Sequence, residues 1–426
     1  MVRQLPALSS EELTSAHDAF LAEYETLKSA GLKLDLTRGK PGPDQLDLSE
    51  ELLTLPTGHK AADGTDVRNY GGLLGLPELR AIVAPLIDVP VEQLVAGNNS
   101  SLEVMHDCVV DAYLHGVPGS ERPWKDEPRV AFLAPVPGYD RHFTICAGLG
   151  IELIPVPMTA TGPDLDVVER LVAEDAQIKG IWCVPKYSNP SGITYSEETV
   201  RRLASMPTAA PDFRLFWDNA YAVHHLTDTP DVLADVLTLA AEAGNPDRPF
   251  VFASTSKITF AGAGVAFFGS SPANIAWHTG HLSRRSIGPD KVNHLRHAQY
   301  LRDAGGLEAL MQRHREILEP KFAQVLAILD EKLAGTGVAE WTSPNGGYFI
   351  SLDVLPGTAS RVVELAKAAG IALTPAGAPF PYGKDPDDRN IRLAPSFPSV
   401  AEIDTAMRGV ATCVLLAAAE KLLGKA

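Results

Sequence analysis

The segment Pro249-Phe-Val-Phe-Ala-Ser-Thr-Ser-Lys257 is an apolar strand pattern that ends in a lysine. Upstream, the segment Phe213-Arg-Leu-Phe-Trp-Asp218 ends in an acid, and Tyr221 follows three residues later. A lysine, an acid and a phenol at strand ends are the groups needed to hold pyridoxal phosphate (PLP). The lysine forms a Schiff base, the acid pairs with the ring nitrogen, and the phenol hydrogen-bonds the ring oxygen. The sequence therefore predicts a PLP site with Lys257, Asp218 and Tyr221 as its catalytic residues.

The arrangement of apolar segments predicts the fold class. Up to about residue 300, short apolar strands alternate with helical stretches, which is typical of a largely parallel sheet covered on both faces. Ligands of such sheets bind at the carboxyl ends of the strands. Beyond residue 300 a long helical stretch is followed by a strand pattern over Gly347-Tyr-Phe-Ile-Ser-Leu352 and by further helical and apolar segments, which predicts a smaller α+β domain. We predict an N-terminal arm over residues 1–45 that joins the small domain, a large domain over 46–300 and a small domain over 301–426.

Composition excludes several classes of protein. The 426 residues include 37 basic and 53 acidic ones, and a net charge of −16 argues against nucleic acid as a partner. The sequence has no run of eighteen apolar residues, so no membrane span is expected, and the first residues lack a secretory signal pattern. The four scattered cysteines predict buried reduced thiols, no metal site and a cytoplasmic location.

The order of motifs from Tyr70 to Arg392 resembles the fold-type I PLP-dependent aminotransferases of the aspartate aminotransferase class. The resemblance covers roughly residues 36 to 412. It implies an α/β fold of the PLP-dependent transferase type I and a homodimer. It also implies PLP as the cofactor and amino acids with 2-oxo acids as substrates. Tyr70, in Asn69-Tyr-Gly-Gly-Leu-Leu-Gly-Leu-Pro-Glu-Leu-Arg80, is similar to the tyrosine that reaches the cofactor phosphate of the neighbouring subunit.

The same resemblance implies further cofactor-binding residues. Small polar residues that open a helix form an anion site, because free N–H groups and the helix dipole face the ligand. An aromatic ring stacks on the pyridine ring and shields it from water. A histidine hydrogen-bonds the acid, and an asparagine amide reaches both the ring oxygen and the substrate. The residues in these positions are Ser100, Ser101, Tyr139, His142, Asn189, Ser254 and Ser256.

Substrate recognition is implied for two further regions. Arg392, in Arg389-Asn-Ile-Arg392, matches the arginine that grips the substrate α-carboxylate, since its planar fork suits a carboxylate. Gly39 lies in an N-terminal loop that is expected to line the substrate site. A second carboxylate on the substrate needs another cation. Arg284 or Arg285 is the first choice for it, and Lys40 and Lys384 are weaker options.

The chain departs from the family at Val265. The family usually has an arginine eight residues after the lysine, where it clamps the cofactor phosphate, but here position 265 is valine. The phosphate must then be held with one guanidinium fewer or by a group from elsewhere. Arg284, Arg285 and Lys291 are the basic residues nearby in sequence.

Several functions are compatible with these motifs. Aspartate with 2-oxoglutarate is the first choice of substrates. Aromatic amino acids, 2-aminoadipate and alanine with glyoxylate stay open. The pattern Ser254-x-x-Lys257 also matches serine acyl-enzymes, but their accompanying boxes occur here in the wrong order. A transcription regulator with an aminotransferase-like sensor domain is disfavoured, because under forty residues precede Arg38.

Overall fold

The computed structural model describes residues 4–425. The first three residues of the predicted arm and the last residue of the predicted small domain lie outside this range. The helices are α1 Ser10–Ser29, α2 Pro43–Asp47, α3 Pro77–Val83, α4 Ser101–His115, α5 Asp140–Gly148, α6 Leu165–Glu174, α7 Glu197–Ser205, α8 Val236–Glu242, α9 Pro272–Arg285, α10 Lys291–Leu301, α11 Ala304–Leu333, α12 Ala359–Ala368 and α13 Val400–Leu422. The strands are β1 Leu34–Asp35, β2 Leu94–Ala96, β3 Ala131–Val136, β4 Glu152–Thr159, β5 Gly162–Pro163, β6 Ile178–Cys183, β7 Arg214–Asp218, β8 Pro249–Ser254, β9 Ala266–Gly269, β10 Ala339–Trp341, β11 Ile350–Val354, β12 Ile371–Ala372 and β13 Asn390–Leu393.

An eight-stranded sheet forms the larger part of the molecule. Its strands run in the order β2-β9-β8-β7-β6-β3-β4-β5. The neighbours from β8 to β4 are paired in parallel, and β9 is antiparallel to both β2 and β8. The carboxyl ends of β2, β8, β7, β6 and β3 therefore lie at one edge. This arrangement confirms the predicted α/β class with a mostly parallel sheet.

Continuous apolar strands suit this sheet because both of its faces are covered. Phe216 and Trp217 point to opposite faces of β7, yet they are only 0% and 1% exposed. Trp217 packs with Leu215 and Val251 on one face of the sheet, whereas Phe216 packs with Phe252 on the other face, and these two layers together form the core of the larger part. Burial on both faces removes the polar alternation that a half-exposed strand would show.

A second core lies around an antiparallel sheet with the order β10-β11-β13. Leu13 and Tyr24 of α1 are buried in this core together with residues of α11, α12 and α13. β1 pairs in parallel with β12, which adds a second link between the N-terminal segment and this part. The helix α11 spans both cores, because Leu307 packs against the large sheet and Leu318 against the smaller one. The limits of residues 45 and 300 between domains remain our proposal.

The strand expected from Gly347 begins later, at Ile350. The reason is a close approach of two backbone segments. A Cβ at Gly346 would lie 2.3 Å from the Tyr187 ring, and Gly347 adopts a positive φ of +84°. Only glycine fits such a position without strain, so the chain turns here before it enters β11.

Two further observations bear on the expectations from composition. All four cysteines, at positions 108, 146, 183 and 413, are free and buried. Across residues 4–425 no helix is long and apolar enough to cross a membrane.

Candidate active site

The predicted site residues converge on the carboxyl edge of the large sheet. Asp218 is the last residue of β7, and Lys257 follows the end of β8 by three residues. The segments that follow β2, β6 and β3 carry the remaining predicted cofactor residues, which are Ser100, Ser101, Asn189, Tyr139 and His142. Residues far apart in sequence thus meet in one place because parallel strands end at the same edge.

The carboxylate of Asp218 is held from one side by His142. The Nε2 atom of His142 lies 3.0 Å from Oδ2 of Asp218, and both side chains are almost fully buried. The His142 ring stacks on Trp182 with a centroid distance of 4.3 Å and an interplanar angle of 9°. The ring of Tyr139 contacts the His142 ring edge-on, with a centroid distance of 4.9 Å. These contacts fix the orientation of the carboxylate.

The second oxygen of Asp218 indicates which chemical group would fit the site. Oδ1 of Asp218 is buried and has no hydrogen-bond partner among the described residues. A buried carboxylate oxygen without a donor is costly. A protonated pyridine nitrogen would supply the missing donor and a compensating charge. The residues present here therefore fit PLP.

Lys257 lies beside this carboxylate, above Tyr221. Its Nζ is 4.9 Å from the centroid of the Tyr221 ring. Burial lowers the pKa of Lys257, and the Asp218 charge opposes that shift. A lowered pKa increases the fraction of free amine, which is the form that attacks an aldehyde. Burial also raises the pKa of Tyr221 well above its ordinary value, so its phenol keeps its proton and can donate a hydrogen bond.

Burial, with a further contribution from Asp218, raises the pKa of Tyr139 to about 12. The ring of Tyr139 is therefore neutral. A neutral aromatic beside Asp218 can cover a flat ligand ring without adding charge.

The phosphate end of the predicted site is assembled from two chain segments. Ser100 is the N-cap of α4, and its Oγ accepts from the backbone N of Glu103 at 3.3 Å. Ser101 begins that helix. The backbone of Gly97 and Asn98 is hydrogen-bonded to Ala266 at 2.8 and 2.7 Å, which keeps the start of α4 near the Ser254–Lys257 turn. The N-terminus of the 15-residue helix α4, with its dipole and free N–H groups, therefore lies near this turn.

The three basic residues considered as replacements for the missing phosphate arginine are engaged elsewhere in the described structure. Val265 itself is fully buried. Lys291 donates to the backbone oxygens of Asn69 and Gly71 at 2.7 and 2.6 Å. Lys291 therefore stabilises the loop that carries Tyr70.

Arg284 and Arg285 end helix α9. Arg285 pairs with Glu103 at 2.9 Å and with Asp107 at 2.5 Å. Arg284 is exposed, and its Nη1 lies 3.4 Å from Nδ1 of His281. Among residues 4–425, no hydrogen bond or ion pair joins either arginine to Lys257, Asp218 or Arg392. Within one chain, the two arginines are thus separate from the cluster at the strand ends.

Arg392 forms a second binding feature beside Asn189. Its Nη1 lies 3.4 Å from Oδ1 of Asn189 and 3.3 Å from Oδ1 of Asp140. The guanidinium is 5.0 Å above the ring of Phe349, and its Nε is buried without a partner among the described residues. A Cβ at Gly39 would lie 2.1 Å from this Phe349 ring. Gly39 therefore lets the N-terminal loop pack against Phe349, on which Arg392 lies, and the unpaired Nε leaves Arg392 able to bind a carboxylate.

Tyr70 differs from the other predicted cofactor-binding residues because it faces solvent. Its side chain is 81% exposed, although the backbone on both sides of it is held by Lys291. Ile287, 62% exposed, lies in the neighbouring loop, where Gly288 packs closely on Gly71. Two loops that pack on one another thus present an aromatic and an aliphatic side chain to solvent.

The sequence patterns did not predict a group of buried polar side chains that lies against the backbone of the Lys257 turn. The group consists of Gln45, His224, His314 and Tyr348. A signal was available for His314, a polar residue within the amphipathic pattern of α11. No signal pointed to Gln45, which lies in the five-residue helix α2.

One group of side chains in the described part of the chain could hold a metal ion, although no metal site was predicted. It consists of Asp111, His115 and His281, on α4 and α9. The two histidine rings stack with centroids 4.9 Å apart, and His281 lies near both Asp111 and Arg284. These contacts account for the cluster without an ion, and the absence of a metal stays a prediction.

Comparison with known proteins gives a consistent result. The sequence profile of the family described as "Aspartate amino-transferase" matches residues 8–426. The chain is 56% identical over 418 residues to an aspartate aminotransferase of Corynebacterium glutamicum, covering 98% of this chain and 96% of that protein. It superposes on the crystal structure of an aspartate transaminase from the same species with a TM-score of 0.97 and 55% identity, covering 99% of this chain and 100% of the other.

A more distant structure shows the fold alone. The α-aminoadipate aminotransferase LysN of Thermus thermophilus, crystallised with N-(5'-phosphopyridoxyl)-L-leucine, has a TM-score of 0.72 at 21% identity and covers 92% of this chain and 94% of its own. The predicted α/β architecture of the fold-type I aminotransferases is thus confirmed.

Proposed function

The chain belongs to the aspartate aminotransferase family and is an aminotransferase, and from this premise we propose that it uses PLP to transfer the amino group of L-aspartate to 2-oxoglutarate. The observation that carries the cofactor assignment is the buried, unpartnered Oδ1 of Asp218 beside Lys257. When bound, PLP supplies an electron sink for the carbanion formed at the substrate Cα.

Lys257 has two roles in this proposal. Its amine binds the cofactor covalently in the resting enzyme, and the lowered pKa keeps the free amine available. As a free amine, Lys257 would take up and hold the proton removed from the substrate Cα. Asp218, held by His142, keeps the pyridine nitrogen protonated. Tyr221 donates to the ring oxygen, and Tyr139 covers the ring.

The phosphate and the α-carboxylate are bound at opposite ends of the site. The N-terminus of α4 with Ser100 and Ser101, together with Ser254 and Ser256, binds the phosphate. Arg392 binds the substrate α-carboxylate with the help of Asn189 and of the loop around Gly39. Asp140, 3.3 Å from Arg392, positions the guanidinium before the substrate arrives.

Aspartate is favoured as the donor by the high identity to an aspartate aminotransferase. Its side-chain carboxylate needs a second cation. Arg284 serves this purpose better than Arg285, because Arg285 already pairs with Glu103 and Asp107. Since Arg284 lies apart from the cluster in its own chain, it acts in the site of a neighbouring subunit.

A homodimer follows from the same argument. Tyr70, on a loop that is held firmly by Lys291, and Ile287, on the neighbouring loop, form an exposed apolar surface. In the proposed dimer this surface is buried and Tyr70 reaches the partner's phosphate. The free buried thiols suit a reducing cytoplasm.

The test of the proposed function is a panel of amino donors with 2-oxoglutarate, scored by kcat/KM. Aspartate should exceed aromatic amino acids and alanine by at least about a hundredfold, the size of one lost charged contact. It should also exceed 2-aminoadipate, whose side-chain carboxylate lies two methylenes farther from Cα. The purified protein should also be yellow with PLP bound. A colourless protein that does not take up added PLP would refute the cofactor assignment, and equal turnover of alanine and aspartate would refute the substrate assignment.

A further inference from the structure

We propose that Gln45 is a positioning residue that connects the substrate loop around Gly39 to the backbone of the lysine turn, through Tyr348 and His314. The inference rests on the proposed function, in which Lys257 binds the cofactor. In addition, we infer that the backbone of the lysine turn is held by a chain of hydrogen bonds that begins at the substrate loop.

The chain of hydrogen bonds can be followed atom by atom. Nε2 of Gln45 donates to the hydroxyl of Tyr348 at 2.9 Å and lies 3.0 Å from Nδ1 of His314. The Tyr348 hydroxyl donates to the backbone oxygen of Lys257 at 3.3 Å, and Nε2 of His314 lies 2.8 Å from the backbone oxygen of Ile258. Two consecutive carbonyls of the lysine turn are thus each held by one side chain, and both side chains are held by Gln45.

The directions of these bonds are mutually consistent. A backbone carbonyl can only accept, so His314 donates from Nε2 and its Nδ1 accepts from Gln45. Gln45 then uses both amide hydrogens as donors, and its Oε1 accepts from the backbone N of Gly42 at 3.2 Å. Donors and acceptors follow one another from Gly42 to the carbonyls of Lys257 and Ile258. Networks ordered in this way strengthen each bond by polarisation.

Burial makes the network rigid. Gln45 and Tyr348 are 0% exposed and His314 is 1% exposed. Burial lowers the pKa of His314 and raises that of Tyr348, so both groups are neutral at physiological pH. Water therefore does not compete for these bonds, and the loss of one leaves a buried polar group unsatisfied.

The network connects the Gly39 loop to the turn that carries Lys257. Gly42 lies three residues from Gly39, whose backbone packs against Phe349 and thus next to Arg392. Tyr348 immediately precedes Phe349 in the chain. A displacement of the Gly39 loop when Arg392 binds a carboxylate is consequently transmitted through Gln45 to the turn that carries Lys257.

Two variants separate the parts of this network. Tyr348→Phe removes the hydroxyl and with it both the bond to the Lys257 carbonyl and the bond from Gln45, while the His314 branch stays intact. Gln45→Leu removes the whole connection at similar volume. Tyr24→Phe is the matched control, because the Tyr24 hydroxyl is also buried and donates to a backbone oxygen, that of Leu365, at 3.1 Å in the small core. The measurements are the rate at which apoenzyme captures PLP, followed by visible absorbance, and kcat and KM for aspartate.

We expect Tyr348→Phe to slow both PLP capture and kcat about tenfold, the effect of one lost hydrogen bond to the lysine turn, with KM within twofold of wild type. Gln45→Leu should slow both by at least as much and also raise KM, because it releases the Gly39 loop. The double variant should resemble Gln45→Leu, since the two residues act in series. Tyr24→Phe should match wild type in every measurement.

The coupling is overturned if Tyr348→Phe captures PLP and turns over as Tyr24→Phe does, or if the effects of the two single variants add fully in the double variant. These results differ from a failure of the proposed function itself. In that case wild-type protein would not capture PLP at all, and no comparison among the variants would be needed to see it.

Discussion

His142 Nε2 lies 3.0 Å from Oδ2 of Asp218, while Oδ1 of the same carboxylate has no partner among the described residues. The histidine thus binds one oxygen and leaves the other for a ligand. Because Trp182 stacks on the imidazole, rotation of His142 away from Asp218 would cost this contact. Contacts within the protein therefore pre-organise the carboxylate, which lowers the reorganisation that cofactor binding requires.

Removing the carboxylate tests this relationship directly. Asp218→Ala should weaken PLP binding and lower kcat by more than tenfold at saturating PLP, since a charged hydrogen bond contributes about 1.5–3 kcal/mol and each ~1.4 kcal/mol is a factor of ten. The measurements are PLP titration and steady-state turnover. Unchanged kinetics at saturating PLP would mean that Asp218 is only an acid at a strand end.

Lys257→Ala should abolish both turnover and the visible absorbance of covalently bound PLP. The reason is that Lys257 is the amine next to Asp218 and Tyr221 in the described site. Absorbance after addition of PLP and the half-reaction with aspartate are the measurements. Lys186→Ala is a suitable control, because this half-buried lysine also follows the end of a strand but lies over the ring of Tyr187 and not over that of Tyr221. Turnover within tenfold of wild type in Lys257→Ala would disprove the assignment.

Arg284 and Arg285 can be distinguished by substrate. Arg284→Ala should reduce kcat/KM for aspartate by about a hundredfold or more, since a lost charged contact in a desolvated site costs roughly 2–5 kcal/mol. Its turnover of alanine, which has no side-chain carboxylate, should barely change. Arg285→Ala serves as the neighbouring control and should affect aspartate much less, because Arg285 is paired with α4. Equal losses on both substrates would remove Arg284 from the proposed carboxylate site.

Stability should depend on pH through His294. Its Nε2 donates to the Gly97 oxygen at 2.6 Å and its Nδ1 accepts from Leu76 N at 3.4 Å, so only the neutral ring satisfies both contacts. Burial lowers the pKa of His294 to about 4 from the ordinary value of 6.5. Between pH 4 and pH 6.5 the imidazole of His294 is protonated in the unfolded state and neutral in the folded state. The stabilising contribution is therefore complete above pH 6.5 and is lost as the pH falls towards 4.

The corresponding measurement is the free energy of unfolding from pH 7 to pH 5 for wild type and His294→Gln. One histidine that titrates only when unfolded contributes a slope of up to about 1.4 kcal/mol per pH unit. In the variant, the free energy of unfolding should depend on pH less steeply by roughly this amount, whatever the variant's stability at pH 7. Parallel curves for the two proteins would show that His294 does not control the pH dependence.

Much of the site was predictable because it depends on short local patterns. The strands that end at Asp218 and before Lys257 are apolar runs, and a parallel sheet brings their carboxyl ends together. The expected strand at Gly347 was placed three residues too early, because the turn there depends on contact with Tyr187, which is distant in sequence. The enzyme class was also predicted correctly, and the serine acyl-enzyme and regulator alternatives are not supported by the family match.

The sequence by itself determined the α/β class, the aminotransferase family and the residues at the strand ends, since each depends on the order of residues along a strand or loop. Only the tertiary structure decided which side chains support them. Lys291 is near Val265 in sequence, yet it binds the Tyr70 loop, and Gln45 reaches His314 across 269 positions of the chain. Hydrogen bonds are directional and short, so such partners are set by how the two cores pack together, which local patterns do not encode.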